Sequence, residues 1–316
     1  MRVAIVCSGG DAPGMNAAIK KFVEVAYYFG YEPYFIYDGY EGMIGGKIKK
    51  AYHSDVSGIL HRGGTVIRSS RSKRFFEYKY RKQAYENLKK KGIEHIVVLG
   101  GDGSFRGLSV LSSEFDISFT GIPATIDNDI PLSDYAIGVD TALNVIRDCV
   151  DNIRDTASSF KRAFVIETMG RECGYLAAVS AVANGAEICM IPEIEFEWEK
   201  NEKRLKKEFE NGRSYMIAIV AEGCRATQKI AKWIEESFDI EVRVTVLGHI
   251  QRGGKPTVKE RLIAGEFIYE ALNNFNKKNM VVVRKGVDYD FVDIKTLTST
   301  PYKLDEKVLE LLNYLD

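Results

Sequence analysis

The sequence predicts an α/β protein whose sheets are mainly parallel and covered by helices on both faces. Short β-rich runs alternate with helical patterns along almost the whole chain, and this βαβα alternation is typical of parallel sheets. A length of 316 residues suggests two domains or one large domain, and the 45% hydrophobic content is ordinary for a globular core. We expect the domain boundary near residues 135–140, with the last strands and helices crossing back over it.

The predicted elements follow one another from the N-terminus. The strand RVAIVC leads through a glycine loop into a helix that Asn16 is placed to cap and Gly30 to end. PYFIYDGY is a second strand candidate, HIVVLGGDGS opens another helix, and ISFTGIPATIDND follows. TALNVIRDCVDNIRDTASSF is a long amphipathic helix. The later strand-to-loop units, each followed by a helical pattern, are RAFVIETMGREC, EICMIPE, YMIAIVAEGCR and EVRVTVLGHIQRGG.

Composition excludes several classes of function. Lysine and arginine number 44 and so do aspartate and glutamate, so no basic surplus points to nucleic acid. The apolar run at the N-terminus is too short for a signal peptide or a membrane span, and we expect no membrane partner. Five scattered cysteines and four histidines show no zinc-ligand spacing, which favours a reducing, cytoplasmic location. The basic stretch 68–91 is expected to be largely a solvated helix face, with its first arginines as the exception.

Six unusual loops come directly after predicted strands: SGGD, GGDGS, TIDND, MGRECG, AEG and LGHIQRGG. In open parallel sheets, ligands bind at the carboxyl ends of the strands. The loops are therefore expected to form one site.

Two of these loops are rich in glycine. In GGDGSFRG, Gly101, Gly103 and Gly107 leave backbone N–H groups free to approach an anion at a helix N-terminus. Asp102 within this loop would repel phosphates unless Mg²⁺ bridges them, so it favours phosphoryl transfer over a dinucleotide site. In SGGDAPGMN, Gly10 could contact a nucleotide phosphate. The alternative for both loops is a tight βα turn with a solvated or capping aspartate.

The stretch TIDND carries two carboxylates one residue apart. In an extended segment Asp127 and Asp129 would point to the same face. Asp127 is then placed to take a proton from a substrate hydroxyl, while Thr125 orients a transferring phosphoryl group. An Asx-turn cluster that caps the loop is the alternative.

The remaining loops supply cations. Arg171 lies beside flexible glycines and is suited to neutralise the charge on a phosphoryl group during its transfer. A phosphomonoester needs several donors, since one arginine seldom fixes a dianion. The candidates are Arg162, Arg243, His249 and Arg252, of which the first two could equally be surface arginines. Glu222 could accept hydrogen bonds from sugar hydroxyls.

Taken together, SGGDAPGMNAAI, GGDGS, TIDND, MGRECGYLA, AEG and LGHIQRGG resemble the 6-phosphofructokinases of the short bacterial type. The resemblance covers essentially the full length, with the motifs in family order. It implies two Rossmann-like three-layer α/β/α domains with the active site in the cleft between them. The larger, ATP-binding domain would span 1–138 plus about 251–300. The smaller, fructose 6-phosphate-binding domain would span 139–250 plus about 301–316.

The resemblance also implies the reaction and its residues. ATP and fructose 6-phosphate would give ADP and fructose 1,6-bisphosphate, with Asp127 as the base on the 1-hydroxyl, Thr125 and Asp129 beside it, and Arg171 stabilising the transferring phosphoryl. The ATP–Mg²⁺ site, with the metal near Asp102, would be lined by Gly10, Arg71, Ser72, Asp102, Gly103, Ser104 and Gly107. The sugar phosphate would contact Met169, Gly170, Glu222, Arg162, Arg243, His249 and Arg252. Arg162 and Arg243 would reach in from a neighbouring subunit of a homotetramer.

Two positions bear on the phosphoryl donor. Relatives that use pyrophosphate carry aspartate in place of the second glycine of GDG and lysine just before TIDND. Here these positions are Gly103 and Ala124. Small residues leave room for a nucleotide, so ATP is favoured and pyrophosphate is the alternative.

The family's effector pocket, which binds a nucleoside diphosphate or phosphoenolpyruvate, is only partly matched. Its matching or conservatively replaced positions are Lys20, Arg154, Glu187 and Arg213, whereas Glu24, His53, Asn211 and Ser214 stand where cations are expected. We expect a weakened or altered effector response, because Glu24 reverses a charge in an anion pocket. The role of Arg68 is not apparent from the sequence.

Other functions fit less well. A dehydrogenase would need GxGxxG and an acidic residue about 20 positions on, and neither occurs in the first βαβ unit. NAD kinases share GGDG but have no need of TIDND, MGR and HIQRGG. A catalytically silent paralogue would be expected to have lost Asp102, Asp127 or Arg171, and all three are present.

Overall fold

The computed structural model describes residues 1–315, which form an α/β protein. Its strands are β1 (Arg2–Cys7), β2 (Glu32–Ile36), β3 (Ile48–Lys50), β4 (His95–Gly100), β5 (Ser118–Pro123), β6 (Ala163–Thr168), β7 (Ile188–Met190), β8 (Met216–Ala221), β9 (Val242–Val246), β10 (Met280–Lys285) and β11 (Asp288–Asp293). Its helices are α1 (Met15–Tyr28), α2 (Gly39–Ile44), α3 (Tyr78–Lys90), α4 (Asp102–Glu114), α5 (Val139–Phe160), α6 (Tyr175–Asn184), α7 (Trp198–Glu210), α8 (Thr227–Phe238), α9 (Val258–Asn273), α10 (Ile294–Ser299) and α11 (Glu306–Leu312).

The chain forms two compact units. The larger unit comprises Met1–Ile126, Ile130–Thr141 and Arg252–Tyr302. Its sheet has the order β11-β10-β5-β4-β1-β2-β3, in which five strands are parallel and the two edge strands β3 and β11 run antiparallel to their neighbours. Every residue of the central strand β4 is buried, because helices cover both faces of a sheet of this kind.

The smaller unit comprises Asp127–Asp129, Ala142–Gln251 and Lys303–Asp316. Its four strands are all parallel, in the order β7-β8-β6-β9. The inner strand β8 has the sequence MIAIVA and is buried throughout, whereas the edge strand β9 is partly exposed along its whole length.

Each unit has its own apolar core. In the larger one, strand residues such as Val98 pack with Phe105 and Phe119. In the smaller one, Val165 and Val220 of the sheet pack with Leu205 from α7. No helix among the described residues is long and apolar enough to cross a membrane.

The structure corrects the cap that the sequence predicted for the first helix. Helix α1 begins at Met15 after a left-handed Gly14, so Asn16 lies inside the helix and does not cap it. The Asn16 side chain instead donates to the carbonyls of Arg62 and Gly63 and accepts from the N–H of Val66. A long-range contact has replaced the local one.

Three further differences concern elements. The second strand ends at Ile36, because Asp38 and Gly39 are left-handed and start α2. The β10–β11 hairpin and the short β3 were not predicted. In the basic stretch, Arg81 is buried rather than solvated, since it pairs with Glu114 at 2.6 Å and donates to two carbonyls.

Candidate active site

Three loops of the larger unit adjoin at the carboxyl ends of its strands, and we call residues 8–10, 69–72 and 100–104 the glycine-loop cluster. The Ser104 hydroxyl donates to the carbonyl of Ser8 at 3.1 Å, and the Ser69 hydroxyl donates to the carbonyl of Gly9 at 2.9 Å. The loops that the sequence assigned to one ligand are therefore joined by direct hydrogen bonds.

Asp102 occupies the first turn of α4, which starts directly after β4. A carboxylate at this end of a helix is stabilised by the helix dipole, and Asp102 also pairs with Arg106 at 2.8 Å. A Cβ atom added at Gly101 or Gly103 would meet no atom within 4 Å. The first turn of α4 therefore borders open space.

The segment that carries Arg71 and Ser72 is held by two acidic residues. Asp38 accepts from the left-handed Arg68 at 2.6 and 3.2 Å, which gives Arg68 a positioning contact that the sequence did not reveal. Glu41 accepts from the Ser72 hydroxyl. The Arg71 side chain itself is exposed.

Gly107 has a packing role. An added Cβ would lie 2.9 Å from the ring of Tyr40, which stacks on Phe75 with ring centroids 4.3 Å apart. The Tyr40 hydroxyl in turn donates to the carbonyl of Ser104. Contact of Gly107 with ATP stays a prediction.

Arg252 lies against the first glycine loop. Its Nη1 donates to the carbonyl of Asp11 at 3.0 Å and would lie 2.4 Å from a Cβ on Gly10. A larger residue at position 10 would therefore displace the guanidinium of Arg252 from this place.

In the smaller unit, Asp127 and Arg171 form an ion pair. Arg171 Nε lies 3.2 Å from Asp127 Oδ2, and the side chain of Asp127 is 1% exposed while that of Arg171 is 54% exposed. Arg171 has φ 55° and Gly170 has φ 136°, both in the region that favours glycine. An arginine held in a disfavoured backbone conformation beside a buried carboxylate is the kind of strain that clusters at functional sites.

Glu222 and Gly223 maintain that conformation. Glu222 Oε1 accepts from the N–H groups of Gly170 at 3.2 Å and Arg171 at 2.8 Å. A Cβ on Gly223 would lie 2.1 Å from the carbonyl oxygen of Arg171. The sequence predicts that Glu222 binds sugar hydroxyls, and the structure shows that one of its oxygens binds the backbone of residues 169–174 between β6 and α6, which we call the arginine loop. Its contact with sugar stays a prediction.

Gln251 is a site residue that sequence reasoning missed. It is 0% exposed, accepts from the N–H of Met169 at 3.1 Å and donates to the carbonyl of Gly248 at 3.0 Å. It thereby joins the loop after β6 to the turn that carries the exposed His249. A glutamine between predicted functional residues in HIQRGG was the available signal.

The segment that carries Asp127 and Asp129 differs from the extended segment that the sequence predicted. Asn128 between them has φ 53°, so the segment is not extended. Asp127 is buried and Asp129 is half-buried.

Arg162 and Arg243 share one carboxylate. Both form ion pairs with Glu241, and Arg243 lies on the edge strand β9 opposite Phe164. The pairing within the chain leaves Arg243 largely exposed.

Among residues 1–315, no group of three or more His, Cys, Asp or Glu side chains is arranged so that it could hold a metal ion.

Glycine loops at an open helix N-terminus, together with a buried carboxylate beside an arginine, are typical of phosphoryl-transfer proteins. Residues 2–275 match the family described as phosphofructokinase, and the chain belongs to this family. The resemblance found in the sequence is thereby confirmed.

Similar proteins cover the whole chain. It is 52% identical to the ATP-dependent 6-phosphofructokinase of Wolinella succinogenes over 100% of this chain and 99% of that relative. It is 53% identical to the ATP-dependent 6-phosphofructokinase of Sulfurimonas denitrificans over 99% and 98% of the two chains.

Solved structures confirm the two-domain α/β fold. Phosphofructokinase from Saccharomyces cerevisiae has a TM-score of 0.90 and 31% identity, over 94% of this chain and 45% of the yeast chain. A pyrophosphate-dependent phosphofructokinase from Marinobacter aquaeolei has a TM-score of 0.82, over 99% of this chain and 91% of that chain. At 18% identity the latter shows a shared fold alone.

Proposed function

We propose that this protein is an ATP-dependent 6-phosphofructokinase, a glycolytic enzyme of the cytoplasm that transfers the γ-phosphoryl group of ATP to the 1-hydroxyl of fructose 6-phosphate. The larger unit would bind ATP and the smaller unit the sugar phosphate. The observation that carries the proposal is the buried Asp127 carboxylate, 3.2 Å from the exposed guanidinium of Arg171.

Asp127 acts as the general base on the 1-hydroxyl. A carboxylate beside a guanidinium is favoured in its ionised form, which is the form that accepts a proton. Arg171 keeps an exposed side chain that can stabilise charge on the transferring phosphoryl group. Thr125 and Asp129, which flank Asp127 in the sequence, would orient the phosphoryl group and the hydroxyl.

Mg²⁺ is the cofactor that this reaction requires. In nucleotide sites it keeps several waters and binds through one or two carboxylates plus phosphates. Asp102 fits this role, because it is a hard oxygen ligand at a helix N-terminus that borders open space. When bound, the ion neutralises negative charge on the nucleotide phosphates. Asp102 would hold it, and Gly103 and Ser104 would bind phosphate beside it.

The donor is tested by initial rates with fructose 6-phosphate and Mg²⁺, using either ATP or pyrophosphate. We expect turnover with ATP and none with pyrophosphate, because the open space at Gly103 admits a nucleotide. Turnover with pyrophosphate would refute this account of the donor. Absence of turnover with both donors would instead favour a silent nucleotide-binding paralogue.

We further propose a homotetramer with shared substrate sites. In each site, His249 and Arg252 of one subunit and Arg162 and Arg243 of a neighbouring subunit would bind the same 6-phosphate. The exposure of Arg243 on an edge strand supports this. Mixed tetramers of Asp127→Ser and Arg243→Ala subunits provide the test. If sites are shared, the mixture regains activity that both parents lack, because some sites combine an intact Asp127 with a neighbour's intact Arg243. Failure of exchanged subunits to regain activity would contradict sharing.

We propose a weak effector response. Lys20 and Lys21 pair with Glu24 at 2.7 and 2.8 Å, so cations of α1 are already neutralised. Partial burial opposes ionisation of Glu24, but hydrogen bonds from the two lysines hold its pKa below the usual value.

Two arginines of this predicted pocket are also engaged. Arg213 pairs with Glu187, and Arg154 donates to the carbonyl of Asn184. Glu24→Arg should increase the response of the fructose 6-phosphate KM to ADP, whereas an unchanged response would refute this account.

A further inference from the structure

Glu260 is a buried carboxylate outside the glycine-loop cluster and apart from the Asp127–Arg171 ion pair. It lies in the first turn of α9 and is 0% exposed. Its Oε1 accepts from the N–H of Gly138 at 2.7 Å, and its Oε2 accepts from the N–H and the hydroxyl of Thr141 at 3.1 and 3.2 Å. The side chain of one helix therefore caps the start of another, α5.

The contact is reciprocal. Thr257 caps α9 by accepting from the N–H of Glu260 at 3.0 Å, and its hydroxyl donates to Asp140 at the start of α5. Lys259 pairs with the same Asp140 carboxylate at 3.3 Å. The first turns of α5 and α9 are thus joined by side chains from both sides.

The start of α5 is also the end of the segment that contains TIDND. This segment leaves β5 at Pro123, and its other end lies beside Pro123 again. The N–H of Ile137 donates to the carbonyl of Pro123 at 2.9 Å, and Ala124 forms a β-bridge with Ile137. Gly138, the next residue, is the one that Glu260 holds. The residues between these two fixed ends include Asp127 and Asp129.

We propose that Glu260 is a positioning residue for catalysis: by holding the amides of Gly138 and Thr141, it fixes the end of the segment that carries the base Asp127. This inference rests on the proposed function. A misplacement of about 1 Å from a contact far from the chemistry can cost about 10²-fold in rate.

The chemistry of the site favours positioning over mere stability. Burial raises the pKa of Glu260 to about 7, even though the three donors oppose the rise. A buried ionisable group is costly, and an apolar core residue often stabilises a fold as well. What the carboxylate adds is two acceptor oxygens aimed at particular amides.

Tight packing around Glu260 fixes its rotamer. A Cβ on Gly14 would lie 2.9 Å from Cγ of Glu260 and 2.7 Å from Ile137. Gly138 has φ 114°, and a Cβ there would lie 2.7 Å from Ala12. The hydrogen bonds of Glu260 with Gly138 and Thr141, which we call the clamp, therefore have little room to relax when one of them is lost.

The test is Glu260→Gln, which keeps the shape but offers one acceptor oxygen instead of two. We expect faster hydrogen exchange at the amides of Gly138 or Thr141 and a kcat reduced at least about tenfold, with each KM changed less than about threefold. Thr141→Val, which removes only the hydroxyl, should fold and lower kcat by a smaller factor.

Leu297→Ala is the matched control, because it destabilises the same unit from a fully buried site that makes none of the hydrogen bonds of Glu260. It should leave kcat within about twofold of the wild type. Unchanged amide exchange in Glu260→Gln, or faster exchange with wild-type kcat in both clamp variants, would overturn the proposal. Absence of activity of the wild-type protein on ATP and fructose 6-phosphate would refute the proposed function. The hydrogen-exchange measurement would still decide whether Glu260 holds the end of the segment that carries Asp127.

Discussion

The glycine-loop cluster of the larger unit and the arginine loop of the smaller unit, both proposed to serve phosphate chemistry, differ in the design of their backbones. The first turn of α4 is regular helix, and Gly101 and Gly103 have open space where a Cβ would be. The loop after β6 has a left-handed Arg171 whose carbonyl is packed against Gly223. One region offers space, and the other is tightly constrained.

The difference follows from what each region has to hold. Backbone amides at a helix N-terminus bind an anion without any further support, because the helix itself aligns them. A single arginine side chain has many rotamers. Other parts of the chain must therefore fix both its backbone and its side chain before the guanidinium can act at one place. Glu222 and Gly223 hold the backbone of Arg171, and Asp127 pairs with its guanidinium. Substitutions should therefore act through ligand contacts in the first region and through loop geometry in the second.

The largest effect is expected at Arg171 itself. Arg171→Ala should lower kcat about 10³-fold, because an arginine that stabilises a transferring phosphoryl group contributes at least this much. Arg225→Ala is the matched control, since Arg225 is also a left-handed, exposed arginine of the smaller unit, paired with Glu172 at 3.0 Å. Steady-state kinetics should show a near-normal control. Equal losses in both variants would contradict the role of Arg171.

A smaller loss is expected when the loop is displaced and Arg171 is kept. The methyl group of Gly223→Ala would lie 2.1 Å from a backbone carbonyl, which cannot rotate away. We expect kcat to fall about 10²-fold. Gly265→Ala, whose Cβ would have the Lys21 side chain as its nearest neighbour at 3.5 Å, should retain the wild-type kcat. Normal kinetics in Gly223→Ala would show that the loop conformation does not matter.

In the glycine-loop cluster the same kind of substitution should behave differently. Gly103→Ala lies in the first turn of α4, so it should raise the free energy of unfolding by up to about 1 kcal/mol. It should also raise the KM for ATP several-fold, because the methyl group enters the proposed nucleotide space. Denaturant titration and initial rates measure the two effects. An unchanged KM would mean that no ligand uses this space.

The sequence predicted the open region better than the constrained one. Hydrophobic runs followed by glycine motifs predict β4 and α4 by local pattern, and motif order indicated the family. Contacts between distant parts of the chain leave no such pattern. The local pattern therefore predicted that Asn16 caps α1, whereas Asn16 lies inside this helix. It also predicted an extended backbone at Asn128, whereas Asn128 is left-handed.

Residues that hold other residues were missed for the same reason. Gln251 and Glu260 act on amides far away in the chain, and no local spacing reveals them. The β10–β11 hairpin was not predicted, because βαβ alternation indicates parallel strands and carries no signal for an antiparallel edge strand.

The smallest effect concerns stability away from both regions. His95 is buried between Ser118 and Thr120, at 2.7 and 2.9 Å, and burial, helped by the charge of Lys278, lowers its pKa to about 3. The unfolded chain binds this proton near the usual pKa of about 6.5, so the free energy of unfolding should decline as pH falls from about 6.5 towards 3.

In His95→Gln this decline should be shallower, which urea titrations at several pH values would measure. His53→Gln is the control, because His53 is exposed and should leave the slope unchanged. Identical slopes in His95→Gln and the wild type would contradict the prediction.

The central claim is that Asp127 is the base for phosphoryl transfer, and the most direct measurement is kcat for Asp127→Ser, with ATP binding measured separately on the same protein. The account predicts that kcat falls at least about 10²-fold while the Kd for ATP is unchanged. Full turnover in this variant would contradict it.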